Sequence, residues 1–332
     1  MGAPNKYCTP LIFVRGVVDD DCGAVMSESL SSVFYLGDSH VRYLKKAARM
    51  GLLAPHAVSG VEVGGATAVG MRNPNAKTNA IGKFRARVSR QPRESVVVMH
   101  LGEVDCGFVI WHRAEKYGEP IDAQMASSLD AYFEFVDELL NLGFRKIIIT
   151  GATLPTITDE DQSGDVVLKR SSVRVSQLER TNLTLRYNEQ LNARATEREL
   201  PYVDISADVI DPATGVVRSR MRNRNPEDHH MDGRLAAAYW ARRLQGPISQ
   251  LNPSPSFKVA WRCVRETYLK GHPGHSRNIP SDMLQKVCIG DVLTGSLIEM
   301  GEEYAVIADA RSGDSDFGFI ALAHVNHFRV ER

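Results

Sequence analysis

Gly37-Asp38-Ser39-His40 is the first place in the sequence where side-chain type and position suggest chemistry. It directly follows a short apolar run, Val33 to Leu36, and directly precedes a helical pattern. A serine at such a turn sits at a helix N-terminus, where unpaired N–H groups and the helix dipole favour negative charge. A nucleophilic hydroxyl, and the oxyanion its attack creates, both need that environment. The same position also suits a serine that only caps the helix.

Glu227-Asp228-His229-His230-Met231-Asp232 is the second place, immediately ahead of the last long helical pattern. Activating a serine takes a base that titrates near neutrality and a carboxylate that fixes the imidazole tautomer. Both residue types occur here. Paired histidines in a polar loop also serve as exposed or capping residues. A metal set would need a third His or Cys, and none lies nearby in sequence.

Elements that could hold these two segments together are visible as alternating patterns. Val33 to Leu36, Val96 to Leu101, Lys146 to Thr150 and Tyr202 to Ile205 are continuous apolar runs, as parallel strands buried on both faces should be. Between them, Val41 to Met50, Met125 to Leu142, Leu178 to Arg198 and Arg234 to Leu244 carry apolar residues at helical spacing. Alternation of this kind predicts an α/β fold with a parallel sheet and crossover helices. Ser163 to Arg174 reads as an irregular excursion over the strand ends.

After Leu244 the composition changes. Residues 246–257 are rich in Pro, Ser, Gly and Asn and read as a linker. Beyond it, Val287 to Ile289, Val292 to Ile298, Tyr304 to Ile307 and Phe317 to Ala321 are short runs separated by Gly-containing turns. They predict a small β-barrel-like domain over 258–332, appended to an α/β domain over 1–245 that includes an N-terminal extension, 1–30.

With 40 basic and 40 acidic residues, the 332-residue chain has zero formal charge, which argues against a general nucleic-acid binder. The five cysteines are widely spaced and form no C-x-x-C pair, so free thiols in a reducing, cytoplasmic setting are expected. No run of 18 apolar residues predicts a membrane span. Neither a P-loop nor a G-x-G-x-x-G turn follows a strand, so no nucleotide cofactor is expected.

The order of the motifs resembles that of the SGNH, or GDSL, hydrolases. Gly37-Asp38-Ser39 looks like the nucleophile block of that family. Gly64-Gly65-Ala66-Thr67 looks like the second block, Gly102-Glu103-Val104-Asp105 like the G-x-N-D block, and Glu227 to His230 like the closing D-x-x-H block. Arg186-Tyr187-Asn188 and Tyr202-Val203-Asp204 resemble the helix and strand ahead of that last block. The match spans roughly 30–245.

The resemblance implies a flavodoxin-like three-layer fold of the SGNH hydrolase type, with an SH3-like C-terminal module. It implies Ser39 as nucleophile and His230 as base, with Glu227 selected by strict spacing and Asp228 by residue type. The oxyanion would be held by the N–H groups of Ser39 and of Gly64 or Gly65, with Asp38, Glu103 and Asp105 also near the oxyanion or substrate. Val104 departs from the family's Asn, which leaves Asn73, Asn75, His100 and His112 as candidate substitute donors. The implied activity is hydrolysis of an ester, such as an O-acyl group on a sugar or other small molecule, with no cofactor or metal. An O-acyltransferase using the same residues and a non-catalytic binding protein are the alternatives, and the C-terminal module offers a surface for a protein partner. Trp111-His112-Arg113 could line the cleft, Cys106 would lie beside it, and Arg218, Arg220, Arg222 and Arg224 would form a solvated edge or meet an anionic group.

Overall fold

The computed structural model describes residues 32–332 other than 54–55, 162–165, 168–171, 226, 253–258, 264, 271–283, 301–303, 313–314, 322–327 and 331–332. The expected N-terminal extension 1–30 and most of the excursion 163–174 fall outside these residues, as do the last residues of the expected linker.

Five parallel strands form the central sheet: β1 (Ser32–Gly37), β2 (Ala57–Glu62), β3 (Val96–His100), β4 (Ile147–Thr150) and β5 (Tyr202–Val203), in the order β2-β1-β3-β4-β5. That is the flavodoxin-like order, and its direction of winding reverses between β1 and β3. Ligands of open α/β sheets bind outside the carboxyl ends of the strands at such a switch point.

Strand alternation sorts the core into two layers. Val33, Tyr35, Val96, Val98 and Ile148 pack with α1 (Arg42–Arg49) and the last helix on one face. Phe34, Leu36, Val97, Met99, Ile147 and Ile149 pack on the other with α2 (Ala80–Val88), α3 (Ile110–Tyr117), α4 (Ile121–Asn141) and α5 (Gln177–Thr196). Helices cover both faces, so β1, β3 and β4 are apolar throughout rather than alternating. The edge strand β2 is only half-buried and contains Ser59 and Gly60, which is why no apolar run announced it.

The last helix, α6 (Gly233–Leu251), extends past the expected break at 246 and takes in Gly246, Pro247 and Ser249. Here the linker expectation is corrected. Pro247 forfeits one helical hydrogen bond, at a cost of about 3 kcal/mol, but Leu244 and Ile248 are both fully buried and hold the last turn against the core.

The region expected to hold a small β module contains a seven-stranded antiparallel sheet, with β6 (Val259–Cys263), β7 (Thr267–Lys270), β8 (Leu284–Val287), β9 (Val292–Met300), β10 (Tyr304–Ser312), β11 (Ser315–Ala321) and β12 (Phe328–Val330). Their order is β12-β6-β9-β10-β11-β7-β8. Cys263, Leu269, Val287 and Leu293 of this sheet belong to the same apolar cluster as α6.

At the switch point the ends of β1 and β3 touch. A Cβ on Gly37 would lie 2.0 Å from the His100 carbonyl oxygen and 2.4 Å from Val41 Cγ1. Overpacking of this kind costs about 1–3 kcal/mol, and here the obstacle is backbone that cannot rotate away. Gly37→Ala is therefore expected to lower the midpoint of denaturant unfolding by at least about 2 kcal/mol in stability; an unchanged midpoint would show that the two strand ends can separate freely.

Candidate active site

The first three segments singled out in the sequence sit at the carboxyl ends of β1, β2 and β3, and the fourth lies on the loop ahead of α6. β1 delivers Asp38, whose N–H donates to the His100 carbonyl at 3.2 Å. Its carboxylate accepts the His40 N–H at 2.8 Å and so caps the short 3-10 turn Ser39–Val41. Asp38, not Ser39, is the cap. The serine hydroxyl instead lies 2.9 Å from His230 Nε2.

The closing loop is tied to α1 by a hydrogen bond from the Met231 N–H to the Tyr43 hydroxyl, 2.7 Å. Thr156, on the loop after β4, donates its hydroxyl to the His229 carbonyl. Within the loop, Asp228 Oδ1 lies 2.5 Å from His230 Nδ1 and also accepts the His230 N–H at 3.0 Å. Asn223 donates to Asp228 Oδ2 at 3.0 Å. The structure thus brings together Ser39, His230 and Asp228, and of the two carboxylates left open by the sequence it is Asp228 that meets the imidazole. Glu227 is exposed on the lip of an adjoining open cleft that Thr156, Asp161, Arg222 and Asn225 also line.

The electrostatics suit a base kept neutral at physiological pH. Burial depresses the His230 pKa below the ordinary histidine value, the charges of His40 and His229 push the same way, and the Asp228 hydrogen bond opposes them. Burial of Asp228 favours its neutral form, but the two hydrogen bonds from His230, together with the charges of His230 and Arg42, outweigh it and hold the carboxyl low. Arg42 Nη1 lies 3.5 Å from Asp228 Oδ2 and 3.0 Å from His230 Nδ1. Nδ1 directs its single proton at Asp228, so the guanidinium acts chiefly by keeping that carboxylate ionised. Arg42 is three residues, about one turn, beyond Ser39; its basic side chain in a helical pattern gave no sign of this role.

The second and third motifs are braced against the first. The Val63 N–H donates to the Gly37 carbonyl at 2.9 Å, which sets Gly64 and Gly65 beside the end of β1. Gly65 has φ +70°, and the direction a Cβ on Gly64 would take is open space. Asp105 accepts the N–H groups of Ala68 at 2.8 Å and Val69 at 3.2 Å and the Ser128 hydroxyl at 2.8 Å. Burial, partly offset by those three bonds, raises its pKa to about 6. Gly102 has φ +129° and packs where a Cβ would meet Ala152 and Tyr187 at 2.9 Å.

These contacts correct two expectations. The carboxylates of Asp38 and Asp105 are buried and hold backbone, so they brace the loops instead of facing substrate. Glu103 is buried as well. Of the candidate substitutes for the missing Asn, His100 is enclosed between Thr150 at 2.6 Å and Thr153 at 3.2 Å, with the ring of Trp240 against it. Asn73 caps its own turn through the Asn75 N–H, 2.9 Å, and His112 stacks on Phe108. Trp111 is partly buried and donates to the Cys106 carbonyl at 2.8 Å, and Cys106 is a fully buried thiol whose pKa is raised by burial. Arg222 pairs with Asp161 at 2.8 Å, Arg218 donates to the Ile210 carbonyl at 2.9 Å, and Arg224 is exposed.

His40 belongs to the first motif, but the sequence suggested no role for it. It is buried, and its ring centroid lies 4.7 Å from that of His230. Among the described residues His40, His229 and His230 form a group able to hold a metal ion.

No protein-family profile matches the chain, and no curated protein matches it. Solved structures to which it is similar include a GDSL-like lipase from Bacteroides thetaiotaomicron, 13% identical with a TM-score of 0.41, covering 66% of this chain and 88% of that one. A carbohydrate acetylesterase family member from Sinorhizobium meliloti is 14% identical with a TM-score of 0.41, covering 67% and 99%. An acetyl xylan esterase is 14% identical with a TM-score of 0.41, covering 65% and 98%.

The geometry makes the two carboxylates distinguishable. Asp228→Asn is expected to lower kcat for an aryl ester by about 10²- to 10⁴-fold, because the amide disfavours the required tautomer, while Glu227→Gln stays near wild type. Equal losses at both positions would remove Asp228 from its place behind His230.

Proposed function

We propose that the protein is a serine ester hydrolase of the SGNH type, acting on an O-acyl group, such as acetyl, carried by a sugar or other small molecule. The observation that carries this reading is the relay itself: Ser39 Oγ at 2.9 Å from His230 Nε2, and His230 Nδ1 at 2.5 Å from Asp228 Oδ1. Its position at the switch point of the sheet supports a ligand-binding cleft there, and the order of the four sequence motifs supports the family.

On this reading Ser39 attacks the ester carbonyl while its proton passes to Nε2 of neutral His230. Asp228 stabilises the imidazolium and preserves the ring orientation. The tetrahedral oxyanion is held by the backbone N–H of Ser39 and of Gly64 or Gly65. His230 then returns the proton to the departing alcohol, and a water molecule deprotonated by His230 releases the acid from Ser39. Val104 supplies no side-chain donor, and loss of one oxyanion donor typically costs about 10²- to 10³-fold in rate. A modest turnover on simple esters is therefore part of the proposal. The cleft beside Asp228, lined by Asn, Thr, Asp and Arg side chains, suits a polyhydroxylated alcohol portion. The zero formal charge and the free thiols of Cys106, Cys263 and Cys288 fit an uncharged substrate met in a reducing compartment. Among the described residues no helix is long and apolar enough to cross a membrane.

A fluorophosphonate probe is expected to label wild type and not Ser39→Ala, and the variant should lose on the order of 10³-fold or more of aryl acetate hydrolysis. An unlabelled, inactive wild type would overturn the enzyme reading, and product appearing only with an added sugar acceptor would turn it into acyl transfer. Because only neutral His230 can take the proton and its pKa is depressed, kcat/KM should persist as pH falls through about 6.5, the ordinary histidine value, and decline only below it. An acid limb at or above that value would contradict the electrostatics described.

A further inference from the structure

Three imidazoles converge at the nucleophile. His40 arrives on the turn after β1, while His229 and His230 arrive on the closing loop from the far end of the α/β region. One ring nitrogen from each lies within 4.8 Å of the other two. The ring centroids are 4.7 Å apart for His40 and His230, 4.0 Å for His229 and His230, and 5.9 Å for His40 and His229. An acyl-transfer relay requires one histidine, so the other two are unexplained by the proposed hydrolysis.

Two of the three carry a carboxylate on Nδ1. Asp38 Oδ1 lies 3.0 Å from His40 Nδ1, with both side chains 1% exposed, and Asp228 Oδ1 lies 2.5 Å from His230 Nδ1. A carboxylate behind an imidazole orients the ring, leaves Nε2 with the lone pair and raises its basicity, which is the usual support of metal-binding histidines. Asp38 has a second, independent peculiarity. Its Oδ2 is buried and has no hydrogen-bond partner, which leaves one unmatched carboxylate oxygen beneath the cluster.

We propose that His40, His229 and His230 form a binding site for a borderline divalent transition-metal ion, Zn²⁺ being the representative, and that the ion holds the hydrolase off by occupying the lone pair of its base. The donor set selects this class of cation, because imidazole suits Zn²⁺, Cu²⁺ and Ni²⁺, while Mg²⁺ and Ca²⁺ take oxygen ligands. Zn–N bonds of about 2.0–2.1 Å place tetrahedral ligand nitrogens closer together than the present 4.8 Å limit. Closure falls to His229, the half-exposed member, since His40 and His230 are buried. Ser39 Oγ lies 2.9 Å from His230 Nε2, so a hydroxyl oxygen adjoins the cluster. Carboxylates stand behind two of the three imidazoles, and Arg42 sits on the Nδ1 side of His230. The binding site stands on the histidine geometry alone; its inhibitory effect rests on the serine hydrolase reading.

The test titrates chelator-treated, full-length protein with Zn²⁺ by calorimetry and with Co²⁺ by visible absorption. Expected are one equivalent bound with a micromolar or tighter Kd, a tetrahedral Co²⁺ spectrum, and aryl ester hydrolysis that falls in step with occupancy and returns on adding chelator. His229→Ala should bind Zn²⁺ more weakly by at least roughly tenfold, the loss seen when even an outer partner of a metal site is removed, and its residual hydrolysis should lose its sensitivity to Zn²⁺ over the range that inhibits wild type. Ser39→Ala, inactive as a hydrolase, should still bind one Zn²⁺, so failure of the esterase reading and failure of the metal site are told apart. Absence of stoichiometric Zn²⁺ binding in wild type, or an unchanged affinity in His229→Ala, would overturn the proposal.

Discussion

Asp228 Oδ1 and His230 Nδ1 approach to 2.5 Å, and most of the local architecture serves to keep them there. An imidazole has two nitrogens and, when neutral, one proton. Only the tautomer with hydrogen on Nδ1 presents a lone pair at Nε2, toward Ser39. Asp228 selects that tautomer, and because the same oxygen accepts the His230 N–H, the carboxylate and the ring are locked into one short turn of backbone. Asn223 on the other oxygen and Arg42 at its flank keep the carboxylate ionised and oriented.

Serine and histidine come from opposite ends of the α/β region, and the fold joins them at the point where strand order reverses. Tyr43 stitches the closing loop to the helix that follows the serine, through Met231. Gly37 permits β1 to end against the His100 carbonyl. Val63 then pins the glycine-containing segment to that same strand end, and buried Asp105 ties down the residues just beyond it. Displacing any of these braces would move a backbone N–H or the Ser39 hydroxyl by fractions of an ångström, the scale on which positioning controls rate in the proposed reaction.

Much of this was legible in the chain. The runs at Val33, Val96 and Ile147 announce strands because both their faces are buried, and the first three motifs mark strand ends because glycine and small polar residues are needed where loops approach one another. Strand β2 escaped notice for the opposite reason, since an edge strand half-open to solvent needs no apolar run. Pro247 misled because a proline's local cost is visible in sequence, whereas the burial of Ile248 that offsets it is not. Choosing between Glu227 and Asp228 was beyond any spacing rule: the loop curls so tightly that the carboxylate two residues before the histidine meets it, not the one three before. The roles of Arg42 and His40 depend on contacts with a loop at the far end of the region, and no local pattern encodes those.

The central claim is that the proton on His230 Nδ1 is held by Asp228 and nothing else. Proton NMR of the full-length protein at neutral pH, read in the far-downfield region where short, strong imidazole hydrogen bonds resonate, observes that proton directly. A downfield resonance that survives Glu227→Gln and disappears in both Asp228→Ala and His230→Ala, with the variants still folded, is the predicted result. A resonance that persists in folded Asp228→Ala, or one that vanishes with Glu227→Gln, would contradict the account.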